Sequence, residues 1–89
     1  MMNEQLYESL EQEFEKCHIG EEVEDVLLEM AESMADMGIM DKEVKCKESY
    51  GKTVVEACGV CTEEDEELSV LIRWITVGKK KFEIEDYFI

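Results

Sequence analysis

The chain contains no proline and very little positive charge. Its 89 residues include nine Lys and Arg against 24 Asp and Glu, which gives a formal net charge of −15. The absence of proline argues against a proline-rich flexible linker and fits a compact domain. Because a chain this acidic repels DNA, RNA and anionic membranes, we expect its partners to be basic proteins.

The sequence also lacks any long apolar segment. No run approaches the roughly 18 residues that a membrane-spanning helix requires. Residues 1–14 are acidic and interrupted by polar residues, unlike a secretory signal. Without such a signal, the four cysteines, at positions 17, 46, 58 and 61, are typical of reduced thiols. We therefore expect a cytoplasmic protein.

The first part of the chain has helical periodicity. Apolar residues make up 45% of the sequence, which is enough for a folded core. We predict one helix over residues 3–17, with Asn3 as its N-cap, and a second over residues 21–37, ended by Gly38. The predicted inward stripes step by three or four residues and consist of Leu6, Leu10, Phe14, Val23, Leu27, Met30, Met34 and Met37.

From residue 41 the period of the sequence changes from helical to alternating. We predict strands at "EVKCKESY", "VVEACGV", "LSVLIRWITV" and "KFEIEDYFI", with "GKT" as the first turn. The third strand is apolar on both faces, so we expect it to be covered and Trp74 to lie in the core. The predicted fold is α+β: two N-terminal helices packed on one face of a four-stranded antiparallel meander (ααββββ). We expect a single domain over residues 1–89, with an acidic helical part (1–40) and an antiparallel sheet (41–89).

The negative charge is unevenly distributed between these two parts. Residues 1–40 hold 12 acids and one base, Lys16, whereas residues 41–89 hold 12 acids and eight bases. Ordinary amphipathic helices mix the two signs, because a Glu–Lys pair four residues apart contributes about 0.2–0.5 kcal/mol. Here such positions instead carry like-charge pairs: Glu11/Glu15, Glu21/Asp25, Asp25/Glu29 and Glu32/Asp36. A role other than helix stability would account for the missing lysines.

Imitation of a nucleic-acid backbone is one such role. Carboxylates three or four residues apart on a helix are separated by about 5–6 Å at Cβ. Duplex DNA carries one negative charge per about 1.7 Å of axis, and proteins bind it with arrays of Lys and Arg. The candidate partner-binding residues are Glu21, Glu22, Asp25, Glu29, Glu32, Asp36, Glu63, Glu64, Asp65, Glu66 and Glu67. The alternative is an acidic surface that only keeps the protein soluble.

In size, acidity and confinement of the acid to residues 3–37 and 63–67, the chain resembles small acidic inhibitors carried by phages. These are the DNA-mimic anti-restriction and anti-CRISPR proteins and similar host-takeover factors. The resemblance is one of composition and includes no shared motif. It implies a protein of the host cytoplasm that blocks a basic nucleic-acid-binding protein involved in restriction, CRISPR immunity, nucleoid structure or transcription.

The "CGVC" segment has the spacing used by zinc sites and redox pairs. A redox pair favours a helix N-terminus, whereas this segment ends a predicted strand beside acidic residues that would raise a thiol pKa. Zinc needs four ligands, and pairing Tyr50 with Val54 would place Cys46 opposite Cys58. We expect no metal. The alternative is a zinc-stabilised domain with Cys17, Cys46, Cys58 and Cys61 as candidate ligands, Cys17 being interchangeable with His18.

No arrangement of residues in the sequence predicts catalysis. His18 is the only histidine, and no nucleophile is placed beside it. We expect neither an enzyme nor a cofactor. The alternative to a DNA mimic is a cytoplasmic interaction module that binds through apolar strand or methionine surface, with the acid merely solubilising. The apolar end "YFI" is expected either to pack on the helices or to continue into a second copy, forming a homodimer.

Overall fold

A computed structural model describes residues 3–88 and confirms the α+β fold. The four strands form one antiparallel sheet in the order β1-β2-β3-β4, with the helices on one face. None of the helices in residues 3–88 is long and apolar enough to cross a membrane. The elements are α1 (Glu4–Lys16), α2 (Val23–Asp36), β1 (Glu43–Tyr50), β2 (Thr53–Glu64), β3 (Glu67–Val77) and β4 (Lys80–Phe88).

Both helices begin and end within two residues of the predicted limits. The Asn3 side chain caps α1, accepting a hydrogen bond from the Leu6 backbone N–H at 2.8 Å. Gly38 follows α2 with a φ of +69°, a conformation that favours glycine after a helix. Local capping chemistry therefore sets the start of α1 and the end of α2.

The core lies between the helices and one face of the sheet, which we call the inner face. Buried side chains of both helices meet those of all four strands. Gly59 leaves no room for a side chain beneath α2: a Cβ there would be 2.8 Å from both the Leu71 carbonyl oxygen and Met34 Sδ. Met37, predicted to continue the buried stripe, is instead 45% exposed, because α2 ends at Asp36.

A bulge in β3 determines which side chains reach the core. Trp74 pairs with Cys58 and Ile72 with Gly59, so Arg73 has no partner across the β2–β3 ladder. Ile72 and Ile75 consequently both point to the inner face, and Trp74 points to the opposite, outer face. The expectation that Trp74 is a core residue was therefore wrong, because strict alternation would have placed it beside Ile72.

The β1–β2 register also differs from the predicted one. Tyr50 pairs with Thr53 rather than Val54, and Cys46 pairs with Ala57 rather than Cys58. The turn has only two residues, and Gly51 supplies the required positive φ of +63°. The one-residue difference places Cys46 and Cys58 on opposite faces of the sheet.

The acidic segment 63–67, predicted as a loop, is the tip of the β2–β3 hairpin. Glu64 pairs with Glu67, and the turn consists of Asp65 and Glu66, with φ values of +52° and +66°. Strand β1 pairs with β2 only as far as Val60, and β4 pairs with β3 only from Val70. The tip therefore extends beyond both neighbouring strands.

The last described residues divide between the two faces of the sheet. Phe88 pairs with Val70 and packs against the core, as one of the two predictions for "YFI" required. Tyr87 pairs with Leu71 on the outer face and is 65% exposed. Ile89 lies outside the described residues.

Candidate protein-binding surface

All eleven predicted partner-binding carboxylates lie on exposed residues. Among residues 3–88, none of them takes part in an ion pair. The nearest bases in sequence to α2 are Lys16 and Lys42, which lie outside that helix. These carboxylates are therefore accessible to cations supplied by another molecule.

Four of these carboxylates form a single stripe along α2, which we call the α2 stripe: Asp25, Glu29, Glu32 and Asp36. Their steps of four, three and four residues keep them within a narrow arc of the helix. At about 1.5 Å per residue they extend along some 16 Å of the helix axis. The buried residues of α2, centred on Met30 and Met34, lie on the opposite side. The packing of α2 on the sheet thus directs the whole stripe to solvent.

A groove of about 250 Å³ separates α2 from strand β1. Glu29, Glu32 and Asp36 line its helical side, and Glu48 and Tyr50 line its strand side. Burial, followed by the charges of Glu29 and Glu48, raises the pKa of Tyr50. The carboxylates of Glu29, Glu32, Asp36 and Glu48 make this groove acidic.

Glu48 belongs to this acidic surface although sequence reasoning did not select it. It lies on the same side of β1 as Val44 and Cys46, which contact the core. The signal was the alternation of "EVKCKESY", in which Glu48 falls in phase with the apolar positions. Because β1 is an edge strand beside α2, a carboxylate on this side of the strand adds to the acidic surface of the helix.

A second acidic groove, of about 470 Å³, lies where α1 meets α2. Its carboxylates belong to Glu11, Glu15, Glu21 and Glu22, and His18 lies at its edge. Desolvation, followed by the charges of Glu11 and Glu24, raises the pKa of the nearby Tyr7. Glu11 and Glu15, which were not among the candidates, thus extend the surface from α2 toward α1.

The hairpin tip occupies the end of the molecule at which α2 terminates. Residues 37–42 lead from α2 to the sheet, where the Asp41 backbone N–H donates to the Cys61 carbonyl at 2.9 Å. The carboxylates at 63–67 begin just beyond Cys61 on the same hairpin. No hydrogen bond or ion pair within residues 3–88 joins the tip to the α2 stripe. The tip is therefore a separate acidic projection.

The cysteines occupy four different environments. Cys61 packs in the core, Cys58 is buried on the outer face, Cys46 borders the α2–β1 groove, and the Cys17 thiol lies 3.5 Å from Glu13 Oε2. Burial raises the pKa of the Cys46, Cys58 and Cys61 thiols. Residues 3–88 contain no group of three or more metal-ligating side chains with the geometry of a metal site. The zinc alternative thus has no preformed site in this part of the chain.

The surface consists of exposed carboxylates around two open grooves. Carboxylates of this kind accept charge-assisted hydrogen bonds from Lys and Arg side chains. Comparison with protein-family models, curated proteins and solved structures finds no match to this chain.

Proposed function

We propose that this protein is an inhibitor that binds a basic nucleic-acid-binding protein by presenting carboxylates in place of DNA phosphates. The observation that carries the proposal is the α2 stripe, which lies opposite the core and forms no ion pair within residues 3–88. A host protein of restriction, CRISPR immunity, nucleoid structure or transcription would supply the Lys and Arg side chains.

The charge density of the α2 stripe supports this proposal. Its four carboxylates extend along about 16 Å, a length over which one DNA strand, with a phosphate every 3.4 Å or so, presents about five charges. Glu48 and the groove between the helices add further anions on either side of the stripe. The acidic surface of the helices thus approaches the charge density of one DNA strand. The additional carboxylates beside the α2 stripe form part of a second row of charges.

The energetic cost of the stripe also supports a binding role. Asp25/Glu29 and Glu32/Asp36 are like-charge pairs four residues apart, and each destabilises the helix by about 0.2–0.5 kcal/mol. Glu–Lys pairs at the same positions would stabilise α2 and still keep the protein soluble. Solubility alone therefore does not require this arrangement.

Capture from a bacterial lysate, with this protein immobilised, provides the first test. A partner held at its nucleic-acid-binding surface is expected to elute with excess duplex DNA at constant ionic strength. Its affinity should also fall steeply as salt rises, because counterions compete for its Lys and Arg side chains. Retention of the partner in both DNA and salt would contradict the proposal.

Two matched variants locate the binding surface once a partner is purified. Glu29→Gln/Glu32→Gln removes two charges from the α2 stripe, and Glu4→Gln/Glu8→Gln removes two from the start of α1. We expect the first pair to weaken binding about tenfold or more, about 1.4 kcal/mol, and the second to change it much less. Isothermal titration calorimetry measures both, and equal losses would show that only net charge matters.

An apolar interface is the alternative function, and one observation favours it. Met37, Ile39 and Met40 are large apolar residues at least one-third exposed in the segment between α2 and β1. Binding through them is expected to survive high salt and to be lost in Met37→Ser/Met40→Ser. The calorimetric salt series on this variant and on the α2 stripe variant separates the two functions.

A further inference from the structure

The outer face of the sheet has an apolar centre and carries both bases and acids, unlike the acidic surface of the helices. Helices cover only the inner face, so the outer side chains of the four strands face solvent or each other. We propose that this outer face binds a second copy of the chain, forming a weak dimer through face-to-face contact of two sheets. The proposal is independent of the function proposed above.

Apolar and aromatic side chains occupy the middle of this face. The register places Val60 beside Leu71, and Leu71 beside Tyr87, while Cys58 pairs with Trp74 in the neighbouring row. Lys45 Nζ and Lys81 Nζ lie 5.8 and 4.9 Å from the centroid of the Trp74 ring. The face thus combines a half-buried apolar centre with cations held against an aromatic ring.

The charges of the outer face are balanced and paired. Away from the hairpin tip, its bases are Lys45, Lys47, Arg73 and Lys81, and its acids are Glu43, Glu56, Glu83 and Glu85. Four ion pairs join them: Arg73–Glu43 at 3.3 Å, Lys81–Glu83 at 3.7 Å, Arg73–Glu85 at 3.9 Å and Lys47–Glu56 at 4.0 Å. Glu64 and Glu67, at the tip, also lie on this side of the ladder. Away from the hairpin tip, the face therefore carries no net charge.

This balance points to a second copy as the occupant. A basic partner is attracted to the helices, and an acidic partner is repelled by a chain of net charge −15. Two copies repel each other least when the charge-balanced regions of their outer faces meet and their acidic helices point apart. In a two-fold pairing, interspersed bases and acids can each find an opposite charge across the interface.

The size of the face predicts a weak interaction. Four strands of 8 to 12 residues, at about 3.3 Å per residue and 4.8 Å apart, cover roughly 26–40 Å by 15–20 Å. This footprint is somewhat below the roughly 800 Å² per partner of a standard interface. We therefore expect a dissociation constant of about 10 μM or weaker.

Analytical ultracentrifugation of the full chain, from about 10 μM to about 1 mM, tests the proposal. The dimer fraction is expected to rise with protein concentration and with salt, because salt screens the repulsion between two acidic molecules. Binding to a basic partner has the opposite salt dependence, so the two proposals fail separately. A monomer at every concentration and salt level would overturn this inference.

Matched variants identify the contact surface. Val54 on the outer face and Leu28 on α2 are both 41% exposed, so Val54→Glu and Leu28→Glu make similar changes on opposite sides of the molecule. We expect Val54→Glu, and likewise Tyr87→Glu, to weaken dimerisation about tenfold or more, and Leu28→Glu to change it less than about threefold. Circular dichroism confirms folding of each variant. Greater loss in Leu28→Glu than in both outer-face variants would place the contact on the helices and contradict the proposal.

Discussion

Acidic residues have opposite effects on stability in two regions of the molecule, the helices and the outer face of the sheet. On α2, glutamate and aspartate face one another at helical spacing without a cation, and each pair destabilises the helix. On the outer face, one glutamate lies across from Lys47, one lies two residues along the strand from Lys81, and two lie beside Arg73, all within 4.0 Å. The excess of acidic residues is therefore concentrated on the helices and the hairpin tip. On the outer face of the sheet, away from the tip, acids and bases balance.

Alanine substitutions at two neighbouring residues of β3 are expected to show the largest difference in stability between the inner and outer faces. Ile72 is fully buried under the helices, whereas Leu71 is half-buried on the outer face. We expect Ile72→Ala to lower the free energy of unfolding by about 2–5 kcal/mol and Leu71→Ala by roughly 1 kcal/mol. Urea denaturation measures both, and equal losses would show that the outer face is as well covered as the inner one.

Gly59 is expected to give the next largest effect, because it sets the distance between α2 and the sheet. Gly59→Ala should cost about 1–3 kcal/mol, since the new methyl group would meet the backbone oxygen of Leu71 as well as Met34. Thermal unfolding of Gly59→Ala, Met34→Ala and the double variant measures the two contributions. Complete rescue by Met34→Ala would show that the contact with the Leu71 oxygen relaxes freely.

Charge reversal should change stability in opposite directions on the two sides. Glu29→Lys places a base four residues from Asp25 and should stabilise the protein by roughly 0.5 kcal/mol. Lys47→Glu places an acid directly across from Glu56 and should destabilise it by about 0.2–1 kcal/mol. Urea midpoints at low and high salt measure both effects, which should shrink with salt. A shift of the same sign in both variants would show that the charges of the two sides act on stability in the same way.

Alkaline pH is expected to have the smallest effect under ordinary conditions. Burial raises the pKa values of Cys46 and Tyr50 in the folded protein from 9.0 and 10.0, so the unfolded chain loses these protons first. The contribution of the protonated Cys46 and Tyr50 side chains to stability is therefore complete below about pH 9. It is lost as the pH rises through the folded-state pKa values. Melting temperatures between pH 8 and 11 should therefore decline, less steeply in Tyr50→Phe. An equal decline in that variant would exclude a contribution from Tyr50.

Much of the fold could be predicted because local signals determine it. The apolar spacing of Leu10, Phe14, Leu27 and Met34 defined both helices, and Asn3 and Gly38 marked their ends. The strand order followed from short hairpin turns, which leave consecutive strands adjacent. The helices required no information about residues distant in the sequence, and their exposed acids could be chosen from periodicity alone.

The features that were missed depend on contacts between distant parts of the chain. Nothing local identifies Arg73 as a bulge, yet the bulge moves Trp74 from the expected core to the outer face. The one-residue error at Tyr50 likewise paired Cys46 with Cys58 instead of Ala57, because the register depends on the conformation of Gly51. Side-chain direction on a strand reverses with every residue, so one error of this kind reassigns a whole face.

The turn at Asp65 and Glu66 carries two negative charges and is less stable as a result. Both residues have positive φ, which costs a residue other than glycine roughly 1–2 kcal/mol, somewhat less for aspartate. Asn-Gly is the favoured sequence for such a turn and would relieve much of this strain without lengthening the hairpin. The tip is thus a less stable turn than a simple replacement would make it, and that replacement would remove two negative charges. A consensus redesign for thermostability would choose Asn-Gly here and would blunt the acidic tip in doing so.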